Sequence, residues 1–245
     1  GDFWTAKALA ERALRGSVFR TYPVASMEVL EGGRIDDLQD VYFSIMKEWE
    51  GVWSDVGTQQ ALEWKQKVWD KLTFDVVEDY LAANGADAVG IEEALKQHED
   101  VLRFLGYDRP AHELKLSDGT TELPRVSQAV SDKLRRIPPG ENYKFLEGTP
   151  WAMKGHDISL IYRRLHPLRP SYTVVAYGGG GTYGYHYRRS RTQLSLRELA
   201  RLQSFPDDFL FCGSKHEIRA QIGEAVPPLA SFVLAKIVHD ILHLT

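Results

Sequence analysis

The sequence predicts an α+β chain: an acidic helical region over residues 1–115, a small mixed region of short strands and loops over 116–194, and two closing helical segments over 195–245. Three observations predict it. Apolar residues recur at three- and four-residue steps through the first half, the mark of helices that bury one face. Near "DRPAHELKLSDGTTELPR" that periodicity stops and turn formers accumulate. Beyond it, strand-like pieces at 158–162 and 172–176 alternate with loops before helical spacing returns.

In "RIDDLQDVYFSIMKEWEGVW", Ile35, Leu38, Val41, Tyr42, Ile45 and Trp49 fall on one helical face. The same spacing runs through 61–72, through 74–81, and through Ile91, Leu95, Leu102 and Leu105, with "AANGADAVG" separating the last two. Trp4, Trp49, Trp53 and Trp64 are of a type that stacks on bases, yet at helical spacing in an acidic half they read as core. After the boundary come a short helix at 126–134, the loop "RRIPPGENYKFLEGTPW" and the two strand-like pieces. Helices then follow at 195–203 and 228–242.

With 245 residues, 43% of them hydrophobic and 26% charged, the chain is long enough to bury a core. No stretch approaches the roughly 20 uncharged apolar residues of a membrane span, and no charged-then-apolar leader opens the chain. The expectation is a soluble, cytoplasmic protein without a membrane partner. The one cysteine, Cys212, excludes an internal disulfide and a cysteine-based zinc cluster, and it reads as a buried small residue. Charge is split between the halves. Residues 1–120 carry 13 Lys and Arg against 23 Asp and Glu, a net of −10, whereas 121–245 carry 17 against 11, a net of +6. The basic excess points to an anionic partner for the second half.

Three segments carry chemistry. "TVVAYGGGGTYGYHY" runs a strand-like piece into four glycines and out through Tyr183, Tyr185, His186 and Tyr187; glycines in a row mark either a flexible tip or a backbone approached closely by a ligand. "LSLRELARLQSFPDDF" carries a capping box, Ser195 and Glu198, and by itself reads as a well-capped surface helix. "QIGEAVPPLASFVLAKIVHDIL" reads as a tight turn at Gly223, a helix start at Pro227 and Pro228 whose free amides favour an anion, and an apolar helix.

In this order and spacing the three segments resemble the C-terminal third of cytosine-5 DNA methyltransferases, over about residues 155–242. The last two resemble the family's ninth and tenth motifs, and the glycine run belongs to the target-recognition domain before them. The resemblance implies a domain at 116–194 that binds duplex DNA around a flipped cytosine, and a last helix that docks on a catalytic domain. By position, Thr173 contacts a phosphate, Tyr177 and the backbone of Gly178, Gly179 and Gly180 lie against DNA, and Arg163 or Arg164 reads a guanine through O6 and N7. Lys154, Arg169, Arg188, Arg189 and Arg191 hold phosphates. Gly223, Glu224 and Ala225 fall in the motif that touches the cofactor, S-adenosylmethionine.

Departures from the pattern limit what the chain does alone. The family's nucleophilic cysteine follows a proline, whereas Cys212 follows Phe211. The Glu-Asn-Val segment, the "FxGxG" loop for S-adenosylmethionine and the Gln-x-Arg-x-Arg segment are missing. Glu224 stands where asparagine is usual, and Thr192 where a basic residue is frequent. The expected role is DNA recognition and completion of a methyltransferase whose cysteine and most of whose cofactor site lie in another subunit or segment, in a prokaryotic, nucleoid-associated setting. A stand-alone DNA-binding or regulatory protein, or a scaffold binding through its acidic helices, are the alternatives.

Overall fold

The structure is a computed structural model that describes residues 26–32, 35–69, 96, 99–153, 161–177, 182 and 184–243. Among the described residues four helices precede residue 65: α1 Ser26–Glu31, α2 Ile35–Trp49, α3 Val52–Val56 and α4 Thr58–Trp64, the last running into a π-helical turn, Lys65–Trp69. Residues 99–104 are helical. Then come a 3-10 turn Ala111–Glu113, α5 Gln128–Leu134, a 3-10 turn Tyr143–Leu146, α6 Leu196–Leu202, α7 Lys215–Glu224 and α8 Pro228–His243. The expected helix at 74–81 lies outside the described residues.

One hydrophobic core crosses residue 115. Met27, Leu30, Ile45, Trp49, Trp64, Leu102 and Leu105 pack in the same cluster as Leu165, Leu168, Tyr187, Leu199, Phe205, Ile218 and Ile222. The tryptophans are the rivets. Trp49 and Trp64 are buried, their rings 6.3 Å apart, and Trp69 stacks between Trp64 and His166 at 5.6 and 5.4 Å. The first two indoles find acceptors in the second half: Trp49 Nε1 donates to the Tyr187 carbonyl and Trp64 Nε1 to that of Pro139. The core reading therefore holds for Trp49 and Trp64; Trp53 is partly buried and packs against the same cluster, while Trp4 lies outside the described residues.

The expected strands do not form among the described residues. Tyr185 bridges Arg164 in parallel and Gln193 in antiparallel fashion, and neither bridge extends into a ladder. Pro167 and Pro170 lack the amides a continuing strand would donate. Residues 172–176 are not paired as a strand, and most of 158–162 falls outside the described residues.

Two further expectations change, and a third is tested. Gly223 lies within the last turn of α7 rather than in a tight turn. Cys212 is exposed: Phe211 turns into the core, and its neighbour faces out. By length and composition, Lys215–His243 is long and apolar enough to cross a membrane. Residues 225–227 divide that stretch into two helices. The apolar one has 16 residues, about 24 Å against a hydrocarbon core of about 30 Å, and carries Lys236 and Asp240.

Candidate nucleic-acid interface

Helix α6 sets the site. Read from sequence as a surface helix, it is buried at every residue, Arg197, Glu198 and Arg201 included. Its capping box forms as expected, with Glu198 accepting from the Ser195 amide and Ser195 Oγ from the Glu198 amide. Arg197 pairs with Asp118 at 2.9 Å and donates to the Phe209 carbonyl. Burial opposes the charge of Asp118, but hydrogen bonds from Thr120 and Phe211 and the charge of Arg197 outweigh it and hold its pKa below the usual carboxylate range. Arg201 grips Asp207 and donates to the carbonyls of Val29 and Arg109. The two arginines thus tie α1, residues 109–120 and the 205–209 turn to one helix.

Against α6 lies a cavity of about 510 Å³. Leu165, Leu194, Leu199 and Leu202 form its apolar floor, and Arg163, Tyr172, Thr173 and Tyr177 its polar side. Four predicted or neighbouring residues are thereby brought together. Thr173 and Tyr177 are exposed; Arg163 is half-buried, its guanidinium 4.6 Å from the centre of the Tyr172 ring. Its lining includes Tyr177, Thr182 and Gly184 on either side of the glycine run, whose Gly178, Gly179 and Gly180 lie outside the described residues, as does Lys154.

Arg164 does not belong to this surface. It is 1% exposed, and its guanidinium donates to the carbonyls of Leu134, Ile137, His186, Arg188 and Arg191. Burial lowers its pKa to about 9. All its donors face the protein's own backbone, so none is left for a guanine. Arg169 is half-buried, and its carbonyl anchors α1 by accepting from the amide and hydroxyl of Ser26.

Arg188 and Arg189 meet the acidic helices. Arg188 pairs with Glu31 at 3.4 Å and donates to Ser44 Oγ, Arg189 pairs with Asp55, and the Ser190 amide donates to Glu48. Arg191 lies 2.7 Å from Glu198. The positive charge of this turn is answered from within the chain, although Arg188 and Arg189 keep 26% and 27% of their side chains accessible.

At the tenth-motif segment, Gly223 and Glu224 end α7 and Ala225 follows as its cap. The α8 start is held by the Leu229 amide, which donates to Ser204 Oγ, so that amide is not free for an anion. Sequence reading missed α7, although "SKHE" repeats the signal of "SLRE": Ser214 and Glu217 form a second capping box. It missed the burial of α6 as well. Arg197 and Arg201 sit four apart on a short capped helix; Asp118, whose charge permits the burial of Arg197, is 79 residues away, and Asp207 reaches Arg201 only through the turn that follows the helix.

Comparison with known proteins supports the resemblance to cytosine-5 DNA methyltransferases. The family model for C-5 cytosine-specific DNA methylase matches residues 113–239. The chain is 55% identical over 251 residues to DNA (cytosine-5-)-methyltransferase M.ApeKI of Aeropyrum pernix, covering 99% of this chain and 54% of that protein. It is 51% identical over 116 residues to the type II methyltransferase M.NgoFVII of Neisseria gonorrhoeae, covering 47% of this chain and 30% of that protein. With M.BbvI of Brevibacillus brevis it shares 50% over 111 residues, covering 44% and 29%. The chain spans about half the length of M.ApeKI and less of the other two.

Proposed function

Given that the chain belongs to the C-5 cytosine-specific DNA methylase family, we propose that it supplies the DNA target-recognition part of a cytosine-5 methyltransferase, residues 116–194, together with the ninth and tenth motif helices. The nucleophilic cysteine and most of the cofactor site then belong to a segment or subunit outside these 245 residues. The completed enzyme transfers a methyl group to a cytosine flipped from duplex DNA, and the names of the M.NgoFVII and M.BbvI relatives support a restriction-modification role.

The observation that carries this reading is the cavity beside α6, where Arg163, Tyr172, Thr173 and Tyr177 converge at the foot of the glycine run. Arg163 is the guanine reader: its forked donors lie at the rim, steadied by Tyr172. Thr173 supplies an exposed hydroxyl for phosphate, Tyr177 presents an exposed ring against the DNA, and a glycine backbone admits close approach of the groove. Arg169, and the accessible parts of Arg188 and Arg189, add sequence-independent attraction.

C-5 cytosine methyltransferases use S-adenosylmethionine as methyl donor, which supplies an electrophilic methyl group when bound. Residues 223–225 do not by themselves fit it. Gly223 is covered by the backbone of residues 175 and 176, Glu224 is engaged by Tyr177, and both lie at the electronegative end of α7, which disfavours a second carboxylate. The donor is therefore assigned to the segment beyond this chain.

Tritium transfer from S-adenosylmethionine to duplex DNA tests the reading, with the chain alone and with the remaining portion of the enzyme. Activity is expected only in the mixture. Arg163→Ala should then lower cognate affinity by about 1–3 kcal/mol and leave random DNA unchanged. Methylation by the chain alone, or equal loss on both DNAs, would overturn it.

A further inference from the structure

Glu224 departs from the family's asparagine. It engages the hydroxyl of Tyr177, whose pKa it pushes up. At the other end of α7, the His216 ring lies 6.0 Å from the Tyr177 ring. Between them, a Cβ built on Gly223 would sit 2.2 Å from the Ala176 nitrogen and 2.4 Å from its Cα, so the loop backbone rests directly on the helix. Positions 216, 220, 223 and 224 share one helical face, small in the middle at Ala220 and Gly223 and polar at both ends. Val175 and Tyr177, held on this face, are a wall of the cavity that Arg163 and Thr173 also line.

We propose that α7 is the positioning platform of the recognition loop, with Gly223 seating residues 175 and 176 and Glu224 and His216 orienting Tyr177, so that Glu224 acts in DNA recognition rather than on the methyl donor. The inference rests on the reading of the cavity as the DNA site. It explains two residues at once: glycine is required at 223 because the loop backbone occupies the place of a side chain, and an acceptor is required at 224 because Tyr177 donates to it.

The test has one arm without DNA and one with it. Chymotryptic cleavage after residue 177, followed by mass spectrometry on the free chain, reports release of the stem. Glu224→Ala should speed it about five-fold and Gly223→Ala about ten-fold or more, at unchanged thermal midpoint for Glu224→Ala, while Glu224→Gln restores the parent rate because its amide oxygen still accepts. In the complete enzyme, Glu224→Ala and Tyr177→Phe should each raise the KM for cognate DNA about five-fold, the double variant should be no worse than either, and the KM for S-adenosylmethionine should not move. Unchanged cleavage, additive losses or a raised KM for S-adenosylmethionine would overturn the platform. Faster cleavage with no DNA binding by the parent would instead sink the DNA reading and leave the platform standing.

Discussion

Arg163 and Arg164 are adjacent in sequence and opposite in role, because consecutive side chains on an extended backbone point to opposite sides. Arg163 lies at the cavity rim on Tyr172, whereas Arg164 turns inward and satisfies five carbonyls. Arg164→Ala would take the donor from the carbonyls of Ile137, His186 and Arg191, while those of Leu134 and Arg188 keep a backbone amide; the loss should be about 3–5 kcal/mol and should lower the thermal midpoint by about 10 °C. Arg163→Ala should shift it by less than about 2 °C, as calorimetry would show. Sequence reading recognised the arginine pair but not which member is buried, since the Arg164–Tyr185 bridge that decides it spans a loop whose path no local pattern encodes. Two histidines add a pH dependence at this scale. His166 and His186 each accept a backbone amide at Nδ1 while buried. Burial first, then neighbouring arginines, lowers both, His166 to about 3 and His186 well below its ordinary value. Because the folded values lie below the unfolded one of about 6.5, the unfolded chain takes up protons first. Stability should be complete above about pH 7 and fall below pH 6.5 by up to about 1.4 kcal/mol per unit for each histidine, continuing toward pH 3 for His166. Urea titrations at pH 7.5 and 5.5 would measure it, and His166→Gln should flatten the difference.

Among the elements, α2, α6 and α8 were legible because each carries its own signal: a continuous apolar stripe, a capping box, and a proline start before an apolar run. The short α1 and α3 have no comparable signal. They exist because Met27, Val29, Leu30 and Val52 reach a core assembled from both halves, a tertiary cause invisible in a six-residue window. The junction of α6 with α8 holds a feature that no periodicity reports. Ser204 adopts φ of +62°, a left-handed conformation, while its hydroxyl accepts from the Leu229 amide and so caps α8. The two effects oppose each other. Ser204→Ala loses the cap and keeps the strain, so it should cost about 1 kcal/mol. Ser204→Gly loses the same cap but relieves about 1 kcal/mol of strain and should stay near the parent. An order of thermal midpoints with alanine at or above glycine would contradict this account.

At the scale of the whole molecule, the charge split visible in the sequence has two destinations. Part of the basic excess of the second half is spent inside the chain, where Glu31 and Asp55 meet Arg188 and Arg189 and where Trp49 and Trp64 bond to carbonyls of the loop region. Composition showed the opposite signs of the halves, but not that they fold against one another. The apolar surface shows the reverse arrangement, for α8 is rich in large apolar residues and none of its residues is buried. Leu234, Val238 and Ile241 recur at four- and three-residue steps and are 58%, 54% and 58% exposed, an apolar stripe open to a partner. On the proposed function its cover is the remaining portion of the methyltransferase. Covering three such side chains contributes about 1.5–3 kcal/mol each, and placing carboxylates there replaces that gain with a desolvation cost. Leu234→Glu combined with Val238→Glu should therefore leave the thermal midpoint of the chain within about 2 °C, since the folded chain makes no use of this stripe. The same double variant should lose association with the remaining portion, measured by analytical ultracentrifugation, and methyl transfer with it. If association survives, α8 docks by another face; if the chain alone unfolds, the stripe belongs to its own core.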